Sequence, residues 1–420
     1  MHARLLIGAG AAAAICLAVP AFATTLDEAI AAALSQAPDV VAARAELDAA
    51  GGRVTQARSA GFPVATVTGT IGTGHLDPDG FFGLGASDVT PRAAQGTIEQ
   101  PLFTGGRVGS AIRRAKAGRS AAEAGFRFVR GQVVTDTAAA YGAVLVGQRQ
   151  VELSRRLVEE LAEIERQARL RFKAGESPST DVSQAVARSA EARAGLAQAE
   201  GDLVSARARY RNLVGVEADA LAPLPAPPET PSSLDQAIET ALANNPSVAQ
   251  AEAGLAAARS AVSAARAEWL PSVGAFAEAS AVRDQFFPDY RADSTTVGVR
   301  ARWQFSAGGR VSGLVNEAKG EQRAAEARLR GARAEVEAGV ATAFQGVRTA
   351  RLVADAAQDR SRAADAALTS VRHEVRVGMK PQIDLLDAER EAMAAATAAS
   401  QAQAGAVVAA YRLNALLGRY

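Results

Sequence analysis

The chain is written twice, and a duplication constrains a fold more than any single motif because each copy must bury the same faces in the same order. Thr25-Leu-Asp-Glu-Ala-Ile30 returns as Ser233-Leu-Asp-Gln-Ala-Ile238, and at the same offset Pro38 answers Pro246 and Pro63 answers Pro271. Further on, Gly105-Gly-Arg-Val108 returns as Gly308-Gly-Arg-Val311, Gly175 as Gly378, Asp181 as Asp384, and Leu213-Val-Gly215 as Leu416-Leu-Gly418. The spacing predicts one unit over 24–215, a second over 232–420, and a Pro-rich linker over 216–231.

Each unit carries the same ordered signals. Thr25 with Glu28, and Ser233 with Gln236, have the spacing of a helix N-cap and its reciprocal partner. A second helix is expected from Pro38 to Ala60, or Pro246 to Trp269, stopped by Pro63 or Pro271. Strand-like segments follow at about 62–74 and 90–103 in the first copy, and at about 271–282 and 294–305 in the second. The alternation is clearest where Val297, Val299, Ala301, Trp303 and Phe305 face one way and Thr296, Gly298, Arg300, Arg302 and Gln304 the other. Residues 75–89 and 283–293 read as loops between the paired strands. From Thr104 to Phe172 there are 69 residues without proline, enough for a helix about 100 Å long. Leu153, Leu157, Leu161, Ile164, Ala168 and Phe172 recur along it at three- and four-residue steps, the seam of a helix partner. A break near Gly175 precedes a last helix from Ser179 to Leu213, and the second copy breaks at Gly378–Pro381. Two shorter helices stacked end to end beside the long one would make a rod about 90–100 Å tall.

The first 23 residues have the form of a secretory signal: Arg4, an apolar run from Leu5 to Val19, then Pro20 and Ala21-Phe-Ala23. Cys16, the one cysteine of the chain, lies inside it, so a mature chain would hold no thiol for disulfides, metals or nucleophilic catalysis. No later apolar run reaches the roughly 20 residues of a spanning helix. Entry into a membrane would therefore have to be as a closed barrel. Two copies supply four strands, about half the usual minimum for closure, so the chain is expected to oligomerise. Phe62, Phe103, Trp303 and Phe305 fall at the helix-proximal strand ends, where a membrane-interface girdle belongs. With 46 basic and 45 acidic side chains, no charge excess recruits nucleic acid.

The stretch Val375-Arg-Val-Gly378-Met-Lys380-Pro-Gln-Ile-Asp384-Leu-Leu-Asp387, with the duplication around it, resembles the periplasmic tip of the TolC-like outer-membrane efflux proteins. The resemblance covers essentially the whole mature length. It implies a fold that is mainly α with membrane β: long antiparallel helical hairpins forming an α-helical barrel, continuous with a trimeric 12-stranded β-barrel. It also implies a homotrimer in outer-membrane lipid, docking a periplasmic adaptor and an inner-membrane pump driven by ATP hydrolysis or protons. In such a trimer Asp384 and Asp387, three apart on one helix face, would form stacked carboxylate rings that select cations and bind divalent ones. Read without the resemblance, they are first-turn acids complementing the helix dipole. Asp181 and Lys380 are candidates for a latch, and Val375 departs from the family by replacing an expected aromatic hydroxyl.

No enzyme and no cofactor are expected. His75 and His373 stand far apart in sequence with no second ligand at metal spacing, and the Gly-Gly-Arg turns lack the lysine-serine of a phosphate-binding loop. The alternative reading is a periplasmic coiled-coil adaptor or a structural trimeric surface protein; an adaptor would need a lipoyl-like β-domain, for which the sequence offers no candidate.

Overall fold

The computed structural model describes residues 23–77, 85–285, 287, 289–304 and 308–420. Residues 1–22 of the signal-like segment, Phe81, Phe82, Phe286 and Phe305 lie outside the described residues. Two copies of one pattern follow each other. The first contains α1 (Leu26–Gln36), α2 (Pro38–Ser59), β1 (Val64–Ile71), β2 (Gly74–Leu76), β3 (Ser87–Val89), β4 (Arg92–Phe103), α3 (Arg107–Lys173) and α4 (Ser179–Val214). The second contains α5 (Leu234–Asn244), α6 (Pro246–Ala267), β5 (Ser272–Arg283), β6 (Arg291–Arg302), α7 (Arg310–Arg376) and α8 (Gln382–Leu416).

Local chemistry sets the boundaries. At α1 the Thr25 side chain accepts from Glu28 N at 3.3 Å while Glu28 Oε2 accepts from Thr25 N at 2.8 Å. Two orphan amides are thereby satisfied. Ser233 accepts from Gln236 N at 3.3 Å in the second copy. Pro38 and Pro246 occupy the first helical position of α2 and α6, where a missing N–H costs nothing. The hairpins reverse at Gly175 and Gly378, both at φ 78, and Pro178 and Pro381 precede the return helices.

The long helices α3 and α7 have 67 residues each, about 100 Å. α3 packs against α2 and α4, and, from the other copy, against α6 and α8; α7 packs against α6 and α8. The lateral order is therefore α2/α4, then α3, then α6/α8, then α7. The stacking joint is built from hydrogen bonds. Gln36 Nε2, at the end of α1, donates to the carbonyl of Val214 at the end of α4. In the second copy Asn245 Nδ2 donates to the Leu416 carbonyl at 2.8 Å while its Oδ1 caps α6 through Ser247 N at 2.8 Å. Both flanks of this helical layer are open, and they carry exposed apolar side chains: Val41 and Val204 on the α2/α4 side, Leu352 and Val353 on α7.

The core lies at that joint, where α1, α3, α4 and α8 bury Leu26, Tyr141, Tyr210, Val214 and Val407. A sister cluster buries Val340, Phe344, Leu413 and Leu417, each such side chain stabilising by roughly 1.5–3 kcal/mol. The Tyr141 hydroxyl sits 2.8 Å from the Thr24 carbonyl and 2.6 Å from that of Ala222. Burial pushes its pKa up to about 12, so it stays a donor. It pins a short parallel pairing of Thr24 with Leu221 onto α3. The segment between the copies is fixed rather than free, with Ala218 buried and Leu221 and Leu224 packed on the core.

Three sequence expectations change. Phe172, placed at the end of the α3 seam, is exposed, whereas Leu161 and Ile164 are buried against Ala192 and Leu386. The loop 75–89 contains a second small hairpin, β2 with β3, in which His75 pairs with Asp88 at 2.8 Å. The loop 283–293 is likewise shorter, because β6 begins at Arg291, opposite Arg283.

Candidate functional site

The four longer strands form one antiparallel sheet in the order β1-β4-β5-β6. β4 and β5 join the two copies in the middle, with Ile98 opposite Ala277 and Glu99 opposite Phe276. β1 and β6 are its edges. Because opposed residues share a face, the registers sort the sheet into two surfaces. One carries Ala65, Val67 and Ile71 from β1, Ile98 from β4, Ala275, Ala277 and Ala279 from β5, and Val297 and Val299 from β6. The other carries Thr66, Thr68, Thr97, Gln95, Glu99, Glu278, Thr296 and Arg300. On this polar side the Arg300 guanidinium stacks over Phe276 at 4.5 Å.

The apolar face is not covered by the chain's own helices: Val67 is 84% exposed and Val297 77%. Water would penalise such a surface heavily, whereas hydrocarbon would not. Among the described residues nothing pairs the two edges, whose backbone groups would be costly in hydrocarbon unless another strand pairs them.

Phe62, Phe103 and Trp303 stand exposed at the helix-proximal strand ends, joined there by Trp269 and Leu270. Trp303 Nε1 donates to the Trp269 carbonyl at 3.2 Å. The sequence predicts a helix end at Trp269; α6 ends at Ala267, and the turn into β5 sets Trp269 in the aromatic group. Phe305 lies outside the described residues.

At the far ends of the rods, Asp384 is half-buried in the first turn of α8 and Asp387 exposed one turn on. Among the described residues neither forms an ion pair. Lys380 pairs with Glu374 across the Gly378 turn at 2.9 Å, which raises its pKa, with Asp384 a lesser contributor. Lys380 and Asp181 are not brought together as a pair within the chain. Asp181 instead lines a groove with Ile164, Arg171, Pro381, Ile383 and Leu386, where the tip of the first hairpin meets the start of α8.

One constellation near the tips escaped the sequence reading. Arg372 of α7 donates to Glu389 of α8 at 2.5 Å and to Glu160 of α3 at 2.7 Å. Glu389 is 8% exposed. Its pKa is pushed up to about 7, first by burial and then by the neighbouring Glu160 carboxyl, with Arg372 opposing. The three side chains tie the first hairpin to the second. The signal was available: Glu389 falls in register with Leu386, Ala392, Ala395 and Ala399, the buried seam of α8, where a carboxylate is out of place without a partner.

Among the described residues no helix is long and apolar enough to cross a membrane, and no three acidic, His or Cys side chains gather into a metal-binding group.

Residues 29–216 and 237–419 each match the family described as outer membrane efflux protein. The chain is 28% identical over 340 residues to the outer membrane efflux protein BepC of Brucella suis, covering 80% of this chain and 75% of that protein. It is 29% identical over 344 residues to protein CyaE of Bordetella pertussis, covering 79% and 70%. In fold it is similar to the CmeC outer membrane channel of Campylobacter jejuni, with a TM-score of 0.82 at 16% identity over 94% of this chain and 85% of that one.

Proposed function

The chain belongs to the outer membrane efflux protein family, and on that premise we propose that three copies assemble into one channel-tunnel for export. The observation that carries the reading is a four-stranded sheet, apolar on one face and polar on the other, with β1 and β6 open at its edges. Four strands are too few to close, and pairing β6 of one copy with β1 of the next satisfies both edges. The open flanks α2/α4 and α7 meet in the same rotation, so one operation closes both barrels.

The apolar surface then faces outer-membrane lipid, with Phe62, Phe103, Trp269 and Trp303 at the periplasmic interface, and the polar surface lines the pore. At about 100 Å the hairpins reach across the periplasm toward a membrane-fusion adaptor and an inner-membrane pump. Cargo is secreted protein, small toxic molecules or both, and the channel itself performs no chemistry. Asp384 and Asp387, from three copies, ring the periplasmic mouth; Lys380 and Asp181 of neighbouring copies latch it. Residues 1–23 are a signal removed after Ala23, a reading supported by the apolar run from Leu5 to Val19 and the Ala21-Phe-Ala23 pattern that follows it.

The test uses the mature chain's lack of cysteine. Pairs of cysteines, one in β1 (Val67→Cys) and one scanned along β6 around Val297, are oxidised in outer-membrane fractions. The expected product is a ladder ending at a linked trimer; cross-links absent from every β1–β6 pair would reject the closure.

A further inference from the structure

The apolar face of the sheet ends, away from the helices, in a row of arginines. Arg92 on β4 stands opposite Arg283 on β5, and Arg283 stands opposite Arg291 on β6. Ile71 on β1 continues the row. All belong to the same surface as Ala94, Ala281 and Ala277, because opposed residues share a face and the side chains alternate along each strand.

Two features make the row unusual. Like charges directly opposite one another across strands are destabilising, and here two such pairs are adjacent. Among the described residues the carboxylate on this face beside them is Asp293, which holds Arg283 at 2.8 Å. Among the described residues Arg92 and Arg291 form no ion pair and are exposed. The turn's Asp284 is occupied within the turn, accepting from Asp289 N at 2.8 Å. Asp284 of the turn also attracts Arg283, so Arg283 is compensated, while Arg92 and Arg291 stand exposed without an ion-pair partner beside the apolar band.

Height decides what meets them. From Val273, at the helix-proximal end of β5, to Arg283 is ten residues, about 33 Å of strand and about 25 Å of height at a tilt near 40°. That is the height of the apolar band of an outer-membrane barrel. The aromatic group of Phe103, Trp269 and Trp303 marks one boundary of the band; the arginine row marks the other, at the level of the outer-leaflet headgroups.

We infer that Arg92, Arg283 and Arg291 form a binding site for the phosphate of an outer-leaflet glycolipid. The inference rests on the barrel reading above. Strands about 4.8 Å apart let neighbouring guanidinium forks converge on one phosphate. The phosphate supplies the counter-charge that the row lacks, while the acyl chains of the same lipid lie along Ala94, Ala281 and Val297. Free phosphate would have no such apolar contact. In a trimer the site repeats three times around the rim, each separated by Ile71.

The experiment uses the full-length protein, assembled in detergent and stripped of lipid, with binding followed by native mass spectrometry. The probes are bisphosphorylated lipid A, the same lipid dephosphorylated, and excess inorganic phosphate. The wild type should prefer the phosphorylated lipid by about tenfold or more. R92Q/R291Q should lose that preference, R92K/R291K should keep part of it, and R300Q, on the polar face, should keep all of it. Equal binding of both lipids by the wild type, or an undiminished preference in R92Q/R291Q, overturns the site. So does complete displacement of the lipid by inorganic phosphate, which would mark a free-anion site. If R92Q/R291Q fails to assemble, the wild-type comparison alone decides. A wild type that forms no heat-modifiable oligomer would remove the barrel reading itself, and this site with it.

Discussion

Replacing Glu389 with glutamine should abolish a pH dependence built into the junction of the two hairpins. In the folded chain the pKa of Glu389 is about 7, against 4.5 for a free glutamate. A group whose folded pKa is raised favours the folded arrangement fully below its unfolded value, and that contribution disappears as pH rises through the folded value. Between pH 5.5 and 8 this linkage amounts to about 2 kcal/mol. Glu160 is 38% exposed and solvent screens its share, so about 1–2 kcal/mol is expected. Below pH 7 the Glu389 carboxyl can donate to Glu160 while Arg372 holds both. Above it two carboxylates face one guanidinium, and the more exposed Glu160 is the one released. Amide hydrogen exchange around Glu160, Arg372 and Glu389, corrected for its intrinsic pH dependence, reports the opening directly. The wild type should open roughly 5–30-fold more at pH 8 than at pH 5.5. Glu389→Gln, neutral throughout, should show almost no change. An equal pH response in both proteins would refute the assignment of the proton to this cluster.

Asp384→Ala combined with Asp387→Ala should abolish block by divalent cations in planar-bilayer recordings; unchanged block would leave the pair as helix-start acids only. Tyr141→Phe removes the hydroxyl that holds the Thr24 and Ala222 carbonyls. About 1–2 kcal/mol of local protection should be lost, read as faster exchange at Ala222, whose amide donates to the Thr24 carbonyl at 3.0 Å, with the rest of the helices unaffected. Gly418→Ala should lower the urea midpoint of the assembled protein by an amount equivalent to roughly 2 kcal/mol or more. Gly418 has φ 71, and an added Cβ would lie 2.7 Å from the Asn244 carbonyl oxygen. Gly313→Ala, in open space within α7, should be neutral or slightly stabilising.

What the sequence disclosed follows from how local the cause is. The Thr25–Glu28 cap, the proline starts at Pro38 and Pro246, and the alternation from Thr296 to Arg302 are each decided within a few residues, and each could be read directly. The four strands, the 67-residue helices and the family resemblance followed from the same local signals repeated twice. The lateral order of the rods was not readable, because alanine-rich faces on α3, α6 and α8 look alike until register selects their partners. Nor was the partner of Lys380. The reversal at Gly378 folds the chain back on itself, so Glu374, six residues earlier, reaches the ammonium at 2.9 Å within one hairpin. Glu389 was visible as an acid on a buried seam, but its clamp draws Arg372 from 17 residues away and Glu160 from another hairpin. The arginine row is a product of strand register: Arg92 and Arg283 are nearly two hundred residues apart and become neighbours only where the two copies join.

The most direct measurement is the mass of the protein extracted from outer-membrane fractions in mild detergent, with and without heating. A particle of three chains, shifting to single chains only on boiling, is the expected result, since three sheets of four strands close into twelve. A mature chain released by osmotic shock as a soluble monomer would contradict it, because the apolar face of Val67, Val297 and Val299 would then have no lipid and the edges β1 and β6 no partner.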